Sequence, residues 1–332
     1  MNLQHLTRLT DDIGLFEHSK GSEPRVEHGY CVDDVARALI VLARDRSPGN
    51  PRNALMRIYS NFLAQAQDPS GRIVNRRDTS GVWHGAASTG DHWGRALWAW
   101  GTVVRSSGDA NSAAEAYERF RISARRRSVF LRSMVFASLG ASQVLAVLPG
   151  NQRALELIHD TKAMLPALGK HSMPWPEASL SYANGAVAEA MILAGHHTND
   201  SGLIHQGRRA LDWLWQLQCA GGRLSLIPHK GWQPGDSLPG FDQQPIEVAA
   251  LVDACISAYD VTSDPDLLER VELGRRWFEG HNDQAITMCD EATGAGYDAL
   301  TAGGRNENQG AESTLAYMSV YQRAGIALAN ST

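Results

Sequence analysis

The sequence predicts an all-α chain folded as an (α/α)6 toroid, and two observations carry that expectation. Apolar residues recur at helical spacing through most of the 332 residues, giving twelve helical segments, while strand-like alternation is short and confined to the stretches between them. The connections alternate between short and long, so consecutive helices pair as antiparallel hairpins with their long loops gathered at one end. Twelve helices in six hairpins is the count of a toroid in which six inner helices run parallel and an outer ring returns the chain.

The helical pattern covers 2–17, 33–46, 51–67, 90–107, 111–125, 128–147, 151–169, 181–196, 201–218, 244–261, 265–280 and 310–327. Local chemistry marks several ends. Asn50-Pro51 and Asp264-Pro265 each place a cap before a proline, Ser112 with Glu115 reads as a capping box, and Gly195 and Gly280 suit helix ends. Gly94, inside a helix, costs about 1 kcal/mol against alanine and so predicts a close approach at that point. The links after 46, 107, 196 and 261 are short, whereas those at 18–32, 68–89, 170–180, 219–243 and 281–309 are long, each feeding the N-terminus of the next helix. No Pro-, Gly- or Ser-rich linker separates the helical blocks, so 1–332 is expected to be a single domain with its long loops forming one mouth. The helix pairs share no fixed-length motif, which disfavours a solenoid.

Composition excludes several classes. A net charge of −5 offers no basic excess for a phosphate backbone, so nucleic acid is not an expected partner. No segment approaches the roughly 20 uninterrupted apolar residues of a membrane span. The first residues, MNLQHLTRLTDD, lack a charged-then-apolar signal pattern, and a cytoplasmic location is the expectation. Four dispersed cysteines form no CxxC pair and the histidines have no ligand spacing on one helix face, so neither a metal nor any other cofactor is expected. Gly294 to Ala299 matches a degenerate GxGxxA pattern but lacks the surrounding strand–turn–helix unit. Nine Trp and twelve His exceed what packing alone requires and point to a polar, aromatic-lined cavity.

Acids and aromatics collect where the long loops enter helices. The first loop ends in His28, Gly29, Tyr30, Cys31, Val32, Asp33 and Asp34 ahead of the apolar run VARALIVLA; adjacent carboxylates at a helix start also fit a capping pair with Arg37 nearby. The second supplies Asn75, Arg76, Trp83 and His84, then Asp91, His92, Trp93 and Arg95; Trp83 and Trp93 are assigned to the site and Trp98 and Trp100 to the core. Trp175 and Glu177 lie between prolines with Tyr182 following, a setting that would desolvate the acid and suit it to proton donation. Further along come His229, Trp232, Gln244 and Glu247, the last either a dipole partner or an inward-facing ligand, and finally Asn308 and Glu312. Five helices thus each bring an acid to one mouth, interleaved with Trp, Tyr, His, Asn and Gln, the composition of a carbohydrate site: aromatic rings stack on sugar C–H faces while carboxylates and amides pair with hydroxyls.

The segments HGYCVDDVARALIVLARD, GDHWGRALWAWG, MPWPEASLSYANGAVAEAM, QQPIEVAAL and NENQGAESTLAY resemble a bacterial family of six-hairpin, (α/α)6-toroid proteins related to glycoside hydrolases, often labelled glycosyltransferases or fused to one. The resemblance runs over almost the whole chain from residue 28. It implies a glycan-acting toroid and a glycosyltransferase partner, although no residues are left over for a nucleotide-sugar domain. The leading expectation is an inverting glycoside hydrolase acting on an oligosaccharide, with Glu177 as acid, Asp34 as base and Asp91 in reserve, the two carboxyls about 6.5 to 9.5 Å apart. His28, Tyr30, Asp33, Trp83, His92, Trp175, Tyr182, Gln244, Glu247, Asn308 and Glu312 would bind substrate. The alternatives are a sugar epimerase or isomerase using His92, His171, His229 or His281 to move a proton, a non-catalytic glycan-binding subunit, and a lyase using Arg76 or Arg305 to hold a carboxylate.

Overall fold

The structure, a computed structural model, describes residues 1–45, 50–166, 168 and 173–330. Among them are twelve α-helices: α1 (Gln4–Arg8), α2 (Val32–Arg44), α3 (Asn50–Ala66), α4 (Asp91–Ser106), α5 (Ala110–Ser123), α6 (Leu131–Leu145), α7 (Gln152–Met164), α8 (Asn184–His197), α9 (Ser201–Gln218), α10 (Pro245–Thr262), α11 (Asp266–Phe278) and α12 (Ala311–Asn330). The chain forms two compact units, one made of Leu3–Met164 with α1 to α7, the other of Leu165–Thr332 with α8 to α12.

The helices fall where the periodicity places them, with one large exception. The pattern at 2–17 gives only α1, because the Asp11 carboxylate accepts the N–H groups of Ile13 (2.8 Å) and Gly14 (3.0 Å) and turns the chain. A side chain that offers the backbone a local acceptor competes with helix propagation. The Phe16 N–H then returns to the Leu9 carbonyl at 2.8 Å. The Ser112 box is also displaced: Asp109 is the cap of α5, its carboxylate taking the Ser112 N–H at 2.9 Å, which leaves Ser112 inside the first turn. Gly195 lies within α8 rather than at its end, and its missing Cβ admits the Ile204 backbone of α9. Gly280 does end α11, with φ at +97°.

Capping separates the helices into two sets. Those entered from short links carry their own acceptor: Asp109 before α5, Asn151 before α7, Asp200 before α9 and Asp264 before α11 each accept an N–H of the first turn. The residues preceding α2, α4, α6, α8 and α10 make no such side-chain bond.

The strands of the described residues are two or three residues long and lie in the long loops. In the first unit Tyr30–Cys31, Arg76–Arg77 and Trp83–His84 form a three-stranded antiparallel patch, with Cys31 opposite Arg76 and Arg76 opposite His84. In the second unit two hairpins, Cys289–Asp290 with Ala295–Gly296 and Ala299–Thr301 with Gly304–Asn306, precede α12.

In each unit one pair of even-numbered helices, α4 with α6 and α8 with α10, touches backbone to backbone. A Cβ on Gly94 would lie 2.2 Å from the Ser133 carbonyl of α6, one on Gly101 2.2 Å from that of Gly140, and one on Gly140 2.4 Å from that of Leu97. In the second unit a Cβ on Gly185 of α8 would lie 2.3 Å from the Ala250 carbonyl of α10. The close approach expected at Gly94 is therefore present and repeated along the α4–α6 seam. Trp98 stacks on Phe136 across that seam, centroids 6.2 Å apart, and Trp98 and Trp100 are core residues as expected. No helix is long and apolar enough to cross a membrane.

Because the atoms obstructing a Cβ at Gly140 are all backbone, Gly140→Ala forces α4 and α6 apart, and a loss of about 1–3 kcal/mol is expected in urea unfolding. Gly108, which has open space around it, is the control: Gly108→Ala leaves stability unchanged or slightly raised.

Candidate functional site

In the first unit the start of α2 gathers three carboxylates, three guanidiniums and a thiol. Asp34, only 3% exposed, accepts from Arg37 at 2.5 Å and from the Cys31 thiol at 3.2 Å. Asp33 faces the Arg95 guanidinium of α4 at 3.2 Å, and that guanidinium lies 4.0 Å over the Phe136 ring. Glu17 pairs with Arg76, which strand pairing sets opposite Cys31. His18 lies 3.9 Å from Glu17, and its ring meets that of His28 edge-on at 5.0 Å.

The electrostatics follow from this crowding. Burial pushes the Cys31 thiol well above the ordinary cysteine range, and the negative charges of Asp34, Asp33 and Glu17 push it further, so it remains a neutral donor. Burial opposes the charge on Arg76, but the Glu17 carboxylate together with the other acidic groups beside it, Asp34 among them, holds the guanidinium above its usual value. The ligand atoms of Glu17, Cys31 and Asp34 lie within 4.8 Å of one another, the spacing of a cation site. Their chemistry fits one poorly: guanidiniums already neutralise both carboxylates, and the thiol keeps its proton.

The start of α4 adds a second polar group. Asp91 accepts the Ser133 hydroxyl at 2.8 Å, tying the first turns of α4 and α6 together. His92 Nε2 lies 3.1 Å from both the Ser88 hydroxyl and the Ile73 carbonyl. Trp83 is half-buried, packs on Phe62 at 5.0 Å and lies under the Arg77 guanidinium.

Two residues expected at the site are packing residues instead. Tyr30 is fully buried, stacked on Phe16 at 4.9 Å with its hydroxyl donated to Asp11, which together with burial raises its pKa. Trp93 is also fully buried. Tyr30 lies in a strand whose two residues are both buried, and Trp93 lies on the buried face of α4.

In the second unit Glu247, 3% exposed, reaches from α10 to the start of α8. It accepts the Ala183 N–H, the Asn184 N–H (3.2 Å) and the Asn184 side-chain amide (2.9 Å). The sequence leaves Glu247 open between a partner for its own helix and a ligand; these bonds make it the missing cap of α8, where Ala183 adopts a left-handed φ of 46°. Asp298 does the same for α12, accepting the Gly310 N–H at 2.7 Å and the Ser313 hydroxyl at 2.6 Å.

Glu177 is half-buried and Tyr182 is exposed. Trp175 belongs to a row of tryptophans, 6.0 Å from Trp213, which is 6.1 Å from Trp232. Gln244 precedes α10, Glu312 lies in the first turn of α12, and Asn308 just before it; all three are half-buried. His229 donates its backbone N–H to Asp242, and the His281 ring binds the Gly222 carbonyl. His171 lies outside the described residues.

The structure thus brings Asp33, Asp34 and His28 together in one unit, with Asp91 and His92 at the start of α4, and places Glu177, Trp175 and Tyr182 in the other. Sequence reasoning missed Glu17, hidden in an overlong helix, and Trp213, whose position on α9 gave no signal. A groove of about 910 Å³ between α3 and α5, lined by Arg57, Asn61, Trp100 and Arg119 among others, includes none of the expected site residues.

No protein-family model matches the sequence, and no curated protein matches it. Solved structures do. A sugar epimerase from a ruminal bacterium matches with TM-score 0.70 and 13% identity over 98% of this chain and 97% of its own. A cellobiose 2-epimerase from Bacillus thermoamylovorans matches with TM-score 0.73 and 11% identity over 99% and 96%. A GH76 α-mannanase from Bacteroides thetaiotaomicron matches with TM-score 0.66 and 10% identity over 97% and 92%. All three are six-hairpin, glycosidase-like toroid proteins. The chain has the (α/α)6-toroid fold.

Two outcomes test the toroid's local chemistry. Glu247→Leu strands N–H groups of Ala183 and Asn184 in a buried site, each costing about 1–3 kcal/mol, and is expected to lower the thermal midpoint without changing the helical circular-dichroism signal at low temperature. The thiols of Cys31 and Cys255 are buried and shifted upward, Cys255 to about 12, as is Cys289, to about 11, whereas Cys219 is half-buried. Since a raised pKa keeps a thiol protonated at pH 8, native-state alkylation followed by mass spectrometry should label Cys219 first and the other three only on unfolding.

Proposed function

We propose that the chain is a carbohydrate-active enzyme that interconverts sugars, as an epimerase or isomerase, rather than cleaving a glycosidic bond. One observation carries this reading: two sugar epimerases are matched almost end to end, over 97% and 96% of their own lengths. Epimerisation beside a carbonyl needs one group to take the C–H proton, a group to return it on the other face, and positive charge beside the oxygen that becomes anionic. In the first unit His28 and His92 are the proton-handling candidates, and Arg76 and Arg95 supply the positive charge. Asp34 suits a brace better than a free base, since taking a proton from water would break its bond to Arg37 or Cys31. The glycosyltransferase partner finds no support in the matched proteins and is not part of this reading.

Hydrolysis is the second reading, favoured by the α-mannanase match and by Glu177 beside Trp175 and its tryptophan row. In it Glu177 donates a proton to the leaving oxygen, while a second carboxylate activates water.

One experiment separates the two. The protein is incubated in heavy water with mannose, glucose, cellobiose and mannobiose, and the sugars are followed by proton NMR. Epimer or ketose appearing with deuterium at the carbon beside the carbonyl, lost in His92→Asn, is the expected result. Monosaccharide released from the disaccharides without exchange, and lost in Glu177→Gln, would establish hydrolysis instead.

A further inference from the structure

We propose that His92 works as a base through its Nδ1 atom, with the Ile73 carbonyl fixing its tautomer and Gly90 as the positioning residue that makes room for the ring. This rests on the epimerase or isomerase reading and names the atom that begins the reaction. The ring is held at its Nε2 end, 3.1 Å from the Ile73 carbonyl oxygen and 3.1 Å from the Ser88 hydroxyl. A carbonyl only accepts, so the proton of the neutral imidazole belongs on Nε2 and the lone pair on Nδ1. The Ser88 hydroxyl is compatible with this, since its oxygen already accepts the Gly90 N–H at 3.3 Å and can accept from Nε2 as well.

The acceptor that selects the tautomer is itself fixed. Ile73 is fully buried and bridged to Ser88 in both directions, its N–H donating to the Ser88 carbonyl at 3.0 Å and the Ser88 N–H to the Ile73 carbonyl at 2.8 Å. Two donors thus meet the two lone pairs of one backbone oxygen. Nδ1 has no hydrogen-bond partner among the described residues and is not closed off from solvent. His28, the other candidate, makes no side-chain hydrogen bond among the described residues, so nothing comparable selects its tautomer.

Gly90, directly before α4, explains how the ring comes to lie there. A Cβ at that position would be 2.9 Å from His92 Cε1 and 3.2 Å from Nδ1. Its φ is −70°, open to any residue, so the glycine answers to the ring and not to the backbone. When Nδ1 takes the proton from the carbon beside the sugar carbonyl, the C–H electron pair becomes the second bond of an enediolate and the carbonyl oxygen takes the negative charge. The imidazolium so formed donates a charge-assisted, stronger bond to the Ile73 oxygen. Nδ1 then returns the proton to carbon, or a deuteron after exchange with heavy water, and the ring is neutral again.

Two measurements test this, the first without substrate. Long-range 15N–1H NMR spectra of His92, assigned by the signal lost in His92→Gln, are expected to show Nε2 protonated and Nδ1 bare in the neutral ring, in wild type and in Ser88→Ala alike. An Nδ1-protonated ring in either overturns the assignment and leaves the epimerase or isomerase reading intact. The second is deuterium exchange into mannose, glucose and cellobiose. The atoms a Gly90 Cβ would meet belong to the far end of a side chain, so Gly90→Ala is expected to fold with an unchanged thermal midpoint while the displaced ring lowers kcat by roughly tenfold to a hundredfold and leaves KM little altered. His92→Gln, whose amide can still donate to Ile73 but carries no base, should keep the thermal midpoint and lose exchange. Unchanged kcat in Gly90→Ala overturns the positioning role, and exchange retained in His92→Gln overturns the base. A wild type that exchanges deuterium into none of the sugars overturns the epimerase or isomerase reading and the base with it, whichever tautomer the spectra show.

Discussion

Everything in this fold depends on how closely the even-numbered helices approach one another. At Gly94, Gly101, Gly140 and Gly185 the partner's backbone carbonyl occupies the space a Cβ would need. Glycine inside a helix is unfavourable by about 1 kcal/mol against alanine, so each must return more than that in packing. The return is dispersion over a seam with almost no side chain between the helices, a density that a single added methyl disturbs. The seams also fix the register of the helix starts, and with it the position of every residue in their first turns.

Register turns a structural demand into a candidate site. The first turn of a helix has N–H groups with no intrahelical partner and a positive end of the dipole, both favourable to carboxylates. Asp33, Asp34, Asp91, Glu247 and Glu312 all occupy such turns. The structure spends them differently. Glu247 is wholly engaged in holding α8, whereas Asp33, Asp34 and Glu17 are balanced by Arg95, Arg37 and Arg76 in a cluster where neutralised charge stays hydrogen-bonded. A cluster of that kind can pass polarity to a substrate hydroxyl without leaving a bare charge buried.

The helices were legible because burial on a curved core imposes a 3.6-residue period, and that period survives any sequence drift that keeps the core apolar. Gly94 was legible for the same reason, since its cost demands a compensating contact. The first helix misled because its apolar spacing continues past Asp11, and only the side-chain bonds to Ile13 and Gly14 stop it. That error concealed Glu17. Tyr30 and Trp93 misled differently: composition says that aromatics abound near the mouth, but not which face each takes. On function the sequence supported only an expectation of carbohydrate chemistry, because acids and aromatics at helix starts serve proton transfer in either direction, and a choice between hydrolysis and epimerisation turns on which groups carry a free proton.

The capping asymmetry narrows where that chemistry belongs. Asp109, Asn151, Asp200 and Asp264 cap α5, α7, α9 and α11 from the residues just before them. A short link has to end its helix locally, and an Asp or Asn does so at little cost. Three even-numbered helices instead take acceptors from elsewhere in the chain: α2 from Asn75, α8 from Glu247, α12 from Asp298. Where the acceptor is Asn75 or Asp298, the helix start depends on a long loop, so a substitution in that loop moves a first-turn residue without touching it. A fold built for packing alone would gain from local caps at both kinds of helix. In the first unit, the helix starts without a local cap include those that carry Asp33, Asp34, Asp91 and His92.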